Sequence, residues 1–214
     1  MYIFLIFHLF SGIYCTVAAE EELGCFRWFL FYVEGNMTLC PVETDQLDFS
    51  VLQKNLRFYF QPVNKAFLYV LLIGKEDTLS LIFPPSFDYF TNHYESVEQI
   101  IPEGGDWSSF KKKPGKYELS FLVAQEPLLN LEKLLKEYFI AGKQTSSSKQ
   151  QKILKEKILS ELAFIKTESL LQSNNSEEFI QVNGTFRTYE ELYKNIKNVT
   201  FKDLFTKKYT LEFQ

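Results

Sequence analysis

The chain has 214 residues, enough for one domain of ordinary size with a sizeable core. Its 46% hydrophobic and 23% charged residues exclude wholesale disorder. A net charge of −4 with no basic stripe excludes sequence-independent phosphate binding, so nucleic acid is not an expected partner.

Residues 1–19, "MYIFLIFHLFSGIYCTVAA", form an apolar run closed by small residues and then by Glu20-Glu21-Glu22. Val17 and Ala19 occupy the −3 and −1 positions of a secretory signal peptide, although no Lys or Arg precedes the run. A membrane anchor needs about 20 apolar residues and a charged flank, and this run is slightly short. Membrane attachment is therefore expected only through an uncleaved leader or a lipid. Lipidation at Cys15 fits poorly, because Tyr14 stands where a bacterial lipobox needs a small residue. Cleavage after Ala19 leaves Cys25 and Cys40, either bridged in an oxidising compartment or both free and buried. A tight turn at Gly35-Asn36 pairs Cys40 with about Phe31 and leaves Cys25 several residues out of register.

Strand signals follow in series. "CFRWFLFYV" (25–33) is a nearly continuous aromatic-rich run ending in a turn, and "LRFYFQP" (56–62) alternates until Pro62. "AFLYVLLIG" (66–74) reads as a buried strand. It forms a hairpin with "TLSLIFPP" (78–85), which the double proline stops. "VEQIIP" (97–102) precedes the corner "EGGDWSSF". "KYELSFLVAQEP" (116–127) places Tyr117, Leu119, Phe121 and Val123 at period 2, the mark of one buried face. Strands in this number and spacing predict a mainly β, α+β fold: an antiparallel β-sandwich or partly open barrel.

Two amphipathic helices are appended. Leu128, Leu131, Leu135 and Tyr138 recur at helical spacing after Pro127, and Ile158, Leu162 and Ile165 share a face within 152–165. Between them, 141–151 is polar and low in complexity, and reads as a mobile linker. "FIQVNGTFR" (179–187) predicts a short hairpin at Asn183-Gly184, and Thr188 with Glu191 forms a capping box. "KKYTLEF" (207–213) predicts a last strand. The expected organisation is a signal peptide (1–19), a β-rich domain with its trailing helix (20–140), the linker (141–151), and a return segment (152–214) packing back on the β domain.

The hairpin closing Leu81 to Pro84, the Ile101-Pro102 step, Pro114-Gly115, and the strand closing Ala124 to Pro127 occur in an order and spacing that resemble a bacterial family, domain of unknown function 4384. The resemblance covers roughly 50–140, with Pro85 and the poor lipobox as departures. It implies a β-rich accessory or interaction module of the cell envelope, placed in the periplasm or at the outer-membrane surface. It carries over no catalytic residues.

Little else in the sequence points to catalysis. The chain beyond Ala19 has one histidine, His93, in a Tyr/Phe-rich loop, so any Ser-His-Asp or Cys-His arrangement must use it. One His and two separated Cys give no metal-ligand spacing, and Gly104-Gly105 alone makes no phosphate loop, so no metal or cofactor is expected. Glu103 and Asp106 are a pair of loop carboxylates, but glycoside hydrolysis needs two acids facing across a bond at about 5 to 9 Å. Trp107, Phe87, Tyr89, Phe90 and Tyr94 are the candidate binding residues, in loops expected at one end of the sandwich. Exposed, they stack on a sugar or anchor a protein; otherwise they seal the sandwich edge and pack on the 128–140 helix. Four Asn-x-Ser/Thr sequons, at Asn36, Asn174, Asn183 and Asn198, would mark glycans in a eukaryotic secreted chain, whereas the bacterial resemblance reads them as coincidence. The expected function is a non-catalytic, exported interaction module whose partner is an envelope protein or a glycan. The alternatives are a carbohydrate-binding domain using the loop aromatics and a glycoside hydrolase using the loop carboxylates.

Overall fold

The aromatic run 25–33 lies in a strand, β1 (Gly24–Glu34), that is covered on both faces. Phe26 and Leu30 enter one core and Phe29 and Phe31 another, as the alternation of strand side chains requires. The computed structural model describes residues 23–35, 38–42, 46–48, 56–74, 79–92, 97–102, 115–143, 148–171, 186–188, 190–191, 194, 196 and 198–213.

β1 turns at Gly35, whose φ of 49° suits glycine, and pairs with β2 (Thr38–Pro41). The pairing Glu34 to Thr38 leaves three residues in the loop, one more than a two-residue turn. Cys40 therefore lies opposite Tyr32, one position from the expected Phe31. Cys25 lies opposite Thr200, in β9 (Val199–Phe201). Tyr32 and Cys25 are roughly 23 Å apart at 3.3 Å per strand residue, whereas a bridge needs Cα atoms within about 7 Å. The candidate Cys25–Cys40 disulfide is thus overturned, and both thiols are free.

Sheet A runs β2-β1-β4-β7, with β4 (Leu56–Pro62) and β7 (Gln99–Ile101), while β9 pairs with β1 beyond the end of β2. Sheet B runs β3-β10-β8-β5-β6. Its strands are β3 (Gln46–Asp48), β5 (Phe67–Gly74), β6 (Leu79–Phe83), β8 (Gly115–Ala124) and β10 (Leu204–Phe213). Every pairing is antiparallel except β3 with β10. The sheets pack face to face without closing a barrel, which is the sandwich-like α+β class expected. Phe58 and Phe121 meet across the interface with ring centroids 4.2 Å apart. Trp28 packs among Phe58, Phe121, Phe205 and Tyr209. Gly24 sits under Phe201, where a Cβ would come within 2.3 Å of the ring.

A second core lies on the outer face of sheet B. Tyr117, Leu119, Phe121 and Val123 of β8 face sheet A as their spacing predicts, but Leu122 and Ala124 on the other face are buried as well. The expected single buried face is corrected to two, because two helices cover this side. These are α2 (Leu129–Gly142) and α3 (Ser148–Leu171), which bury Leu131, Leu135 and Tyr138, and Ile158, Leu162 and Ile165. Most of the expected linker 141–151 is helix, since its Gln and Lys residues are good helix formers. Lys155 of α3 is buried and donates from Nζ to the Gly74 carbonyl at 3.1 Å, tying the helix to the end of β5.

A third, smaller cluster covers the outer face of sheet A, where Phe186 and Ile196 pack on Phe29, Phe31 and Tyr59. Phe186 exchanges two backbone hydrogen bonds with Leu39, at 2.8 and 3.0 Å. Thr188 Oγ1 accepts the Glu191 N–H at 3.2 Å, the first half of the expected capping box, while the Glu191 carboxylate accepts the Arg187 N–H at 2.9 Å, one residue before the N-cap position. The predicted hairpin turn at Asn183-Gly184 and the corner 103–114 lie outside the described residues.

The chain crosses from sheet A to sheet B between β4 and β5, and Asn64 clasps this corner to β1. Its Oδ1 accepts the Cys25 N–H at 2.7 Å and its Nδ2 donates to the Leu23 carbonyl at 2.7 Å. We expect Asn64→Ala to cost about 0.5 to 1.5 kcal/mol, since it removes one part-buried and one exposed hydrogen bond at the strand end. Asn64→Asp, which keeps the acceptor, should fall between the two in urea unfolding. An unchanged midpoint in Asn64→Ala would show that the corner holds without the clasp.

Candidate functional site

Buried polar chemistry gathers where β5 meets the first turn of α2. The helix starts at Pro127-Leu128, and Leu128 at the N-cap has no side-chain oxygen to take up the free N–H groups of the helix end. The Tyr69 hydroxyl, projecting from the outer face of β5, serves instead. It accepts the Leu128 N–H at 3.0 Å and donates to Glu132 Oε1 at 2.6 Å. Glu132 is 5% exposed. Its carboxylate lies in the first turn of α2, beside the positive end of the helix dipole. Burial first, then the hydrogen bond to Glu132, pushes the Tyr69 phenol well above the ordinary tyrosine range; the Leu128 N–H opposes this.

Between this pair and α1 (Asp88–Asn92) lies a half-open cleft lined by Phe67, Leu68, Tyr69, Pro84, Tyr89, Phe90 and Glu132. Its volume is about 10 Å³, room for a single water molecule. The arrangement ties a helix end to β5, and the cleft is too small to admit a sugar ring.

Three of the five candidate binding aromatics are brought together beside this cleft, packed inward. Phe90 is buried against Tyr69 and Phe87, and Phe87 meets Phe139 of α2 with centroids 5.7 Å apart. Tyr89 packs edge-on against Phe83 at 5.6 Å. They form the seam between α1, α2 and sheet B, the sealing role weighed against binding. Trp107, Tyr94, His93, Glu103, Asp106 and Cys15 lie outside the described residues.

Sequence reasoning missed Tyr69 and Glu132. The signal was present: Glu132 stands next to Leu131 and three residues before Leu135, inside the apolar stripe of its helix. A charge placed there needs a buried partner, and the hydroxyl in the otherwise apolar run 66–74 can supply it. Elsewhere, burial pushes the Cys25 thiol up while the Arg27 guanidinium opposes it, which disfavours the nucleophilic thiolate at neutral pH. Among the described residues, no three His, Cys, Asp or Glu side chains gather as a metal site, and no helix is long and apolar enough to cross a membrane.

Comparison with family models, with curated proteins and with solved structures finds no match to this chain. The likeness to the bacterial family therefore rests on the short motifs at 81–84, 101–102, 114–115 and 124–127.

Tyr69→Phe should destabilise the fold by about 1 to 3 kcal/mol at pH 8, by removing the hydroxyl that accepts the Leu128 N–H and donates to the Glu132 carboxylate. The raised Tyr69 value means that its contribution is complete below about pH 10, the ordinary tyrosine value, and is lost as pH rises further. The gap between wild type and Tyr69→Phe in urea unfolding should therefore shrink above that pH, by about 1.4 kcal/mol per unit. A gap that stays constant to pH 11 would sink the assignment.

Proposed function

We propose that this chain is an exported accessory module that binds a protein partner and carries no catalytic activity. The observation behind this reading is where the described apolar surface lies. Eight large apolar side chains are exposed among the described residues, and five of them, Leu129, Ile140, Ile153, Leu159 and Phe164, are on α2 and α3. Ile153 and Phe164 stand eleven residues apart, three helical turns, so they share one outward line along α3. Phe164 is 61% exposed, an unusual position for a side chain whose burial stabilises by about 1.5 to 3 kcal/mol. Exposed aromatic and aliphatic anchors of this kind are what protein interfaces bury at their centres.

Phe90 is buried and Phe87 and Tyr89 are partly buried against Phe139 and Phe83, a packing that supports the sealing role over sugar binding for these three residues. Export is supported by the leader-like residues 1–19. The envelope placement follows only from the family resemblance.

The test is crosslinking affinity purification of the full chain from the exported fraction of its native cells, beside the variant Ile153→Ser/Phe164→Ser. Both positions are solvent-exposed, so the variant should fold, which circular dichroism verifies. Loss of one or two anchors should weaken capture of a specific partner by roughly 5- to 30-fold. Equal recovery by both chains would remove the helical face from the proposal.

A further inference from the structure

The sequons have no role in the function proposed above, and one of them falls among the described residues. We infer that Asn198 is an N-glycosylation site, its side-chain amide the acceptor for an oligosaccharide delivered from a lipid-pyrophosphate donor. The inference rests on the export reading, because such donors act only on chains that leave the cytosol.

Composition carries the first part of the argument. The chain has ten asparagines and 27 serines and threonines, so chance placement yields about one Asn-x-Ser/Thr triplet where four occur. None has proline in the middle position, and three of the four end in threonine. Only the bacterial resemblance sets these triplets aside as coincidence.

Geometry carries the second part. Asn198 is exposed and immediately precedes β9, in the triplet Asn198-Val199-Thr200. Val199 is buried between the sheets at 5% exposure, so strand alternation turns Asn198 and Thr200 to the outer face of sheet A. Arg27, also on that face, donates from Nε to Asn198 Oδ1 at 2.8 Å. That bond uses the carbonyl oxygen, while Nδ2 has no hydrogen-bond partner among the described residues. Glycosylation joins sugar to Nδ2 and leaves Oδ1 in place, so the modified residue keeps its bond to Arg27.

The transfer balances without any further reagent. Nδ2 attacks C1 of the terminal sugar, the C1–O bond to phosphate breaks, and the lipid pyrophosphate leaves with the electron pair. Nδ2 gives up one proton. The glycan then projects from the outer face of sheet A, across the sandwich from α2 and α3, and leaves the proposed protein-binding line on α3 open.

The test is cell-free translation of the full 214-residue chain with rough microsomes. Protease protection reports translocation. Deglycosylation by a peptide-N-glycosidase in heavy-oxygen water, followed by peptide mapping, reports each modified asparagine as labelled aspartate. The expected result is a protected chain with label at Asn198, and one fewer endoglycosidase-sensitive mobility step in Asn198→Gln. A protected chain with unlabelled Asn198 overturns the glycosylation site and leaves the export reading standing. A chain fully digested by protease overturns the export reading and the site with it.

Discussion

The structure depends on burying both faces of β5. All eight residues, Phe67 to Gly74, are buried, with Leu68, Val70 and Leu72 toward sheet A and Phe67, Tyr69, Leu71 and Ile73 toward the helices. The backbone of such a strand is satisfied only by neighbours on both edges, which β6 and β8 supply. Its side chains need an apolar layer above and another below, and neither sheet A nor the helix pair alone would suffice. The Tyr69–Glu132 pair follows from the same constraint. A hydroxyl on a doubly buried strand costs stability unless it is bonded, and the N-terminus of α2 supplies both an N–H to donate to it and a carboxylate to accept its hydrogen bond.

Placing a sheet over β5 obliges the chain to change sheets at tight corners, where backbone groups leave their ladders. Asn64 takes up one such loss at the β4–β5 crossing. At the β9–β10 crossing, two residues separate Phe201 from Leu204. Asp203 there has a φ of 56°, in the left-handed region that Asp and Asn tolerate better than most residues, and its carbonyl accepts the Gln125 N–H at 2.9 Å. Lys65 and Glu126, 3.2 Å apart, join the corners that follow β4 and β8, but both are largely exposed and the pair adds little. Hydrogen bonds to the corner backbone matter more here than surface charge.

What could be read from the sequence was what alternation and helical spacing encode. The unbroken apolar run 66–74 could only be a doubly covered strand or a short buried helix, and its length and Gly74 decided for the strand. The inward stripe Ile158, Leu162 and Ile165 followed from its spacing alone. The register of Cys40 did not, because one extra loop residue shifts every pairing and loop length is not a periodic signal. Nor did the inward packing of Phe87 and Phe90. The residue that covers Phe87 is Phe139, about fifty positions later on a different element, and no local pattern connects them. A longer gap, 63 positions, separates Tyr69 from Glu132, which left that pair unread although each residue was odd in its own setting.

The distribution of cover around the sandwich bears on how the protein acts. Sheet B is covered by α2 and α3, and sheet A is covered in part by Phe186 and Ile196. The cleft beside Tyr69 is water-sized, and among the described residues the exposed apolar side chains of the outer surface offer a partner more area than this cleft does. Of the outer surfaces described, that of the helices carries most of the exposed large apolar side chains, whereas the outer face of sheet A has Arg27 and Asn198 at its β9 end. A polar end suits a glycan and an apolar helical ridge suits a protein, so the two roles need not compete for one face. On the proposal above, the helical layer has two roles on opposite sides: its inner stripe closes the core over β5, and its exposed outer line meets a partner without loosening that core.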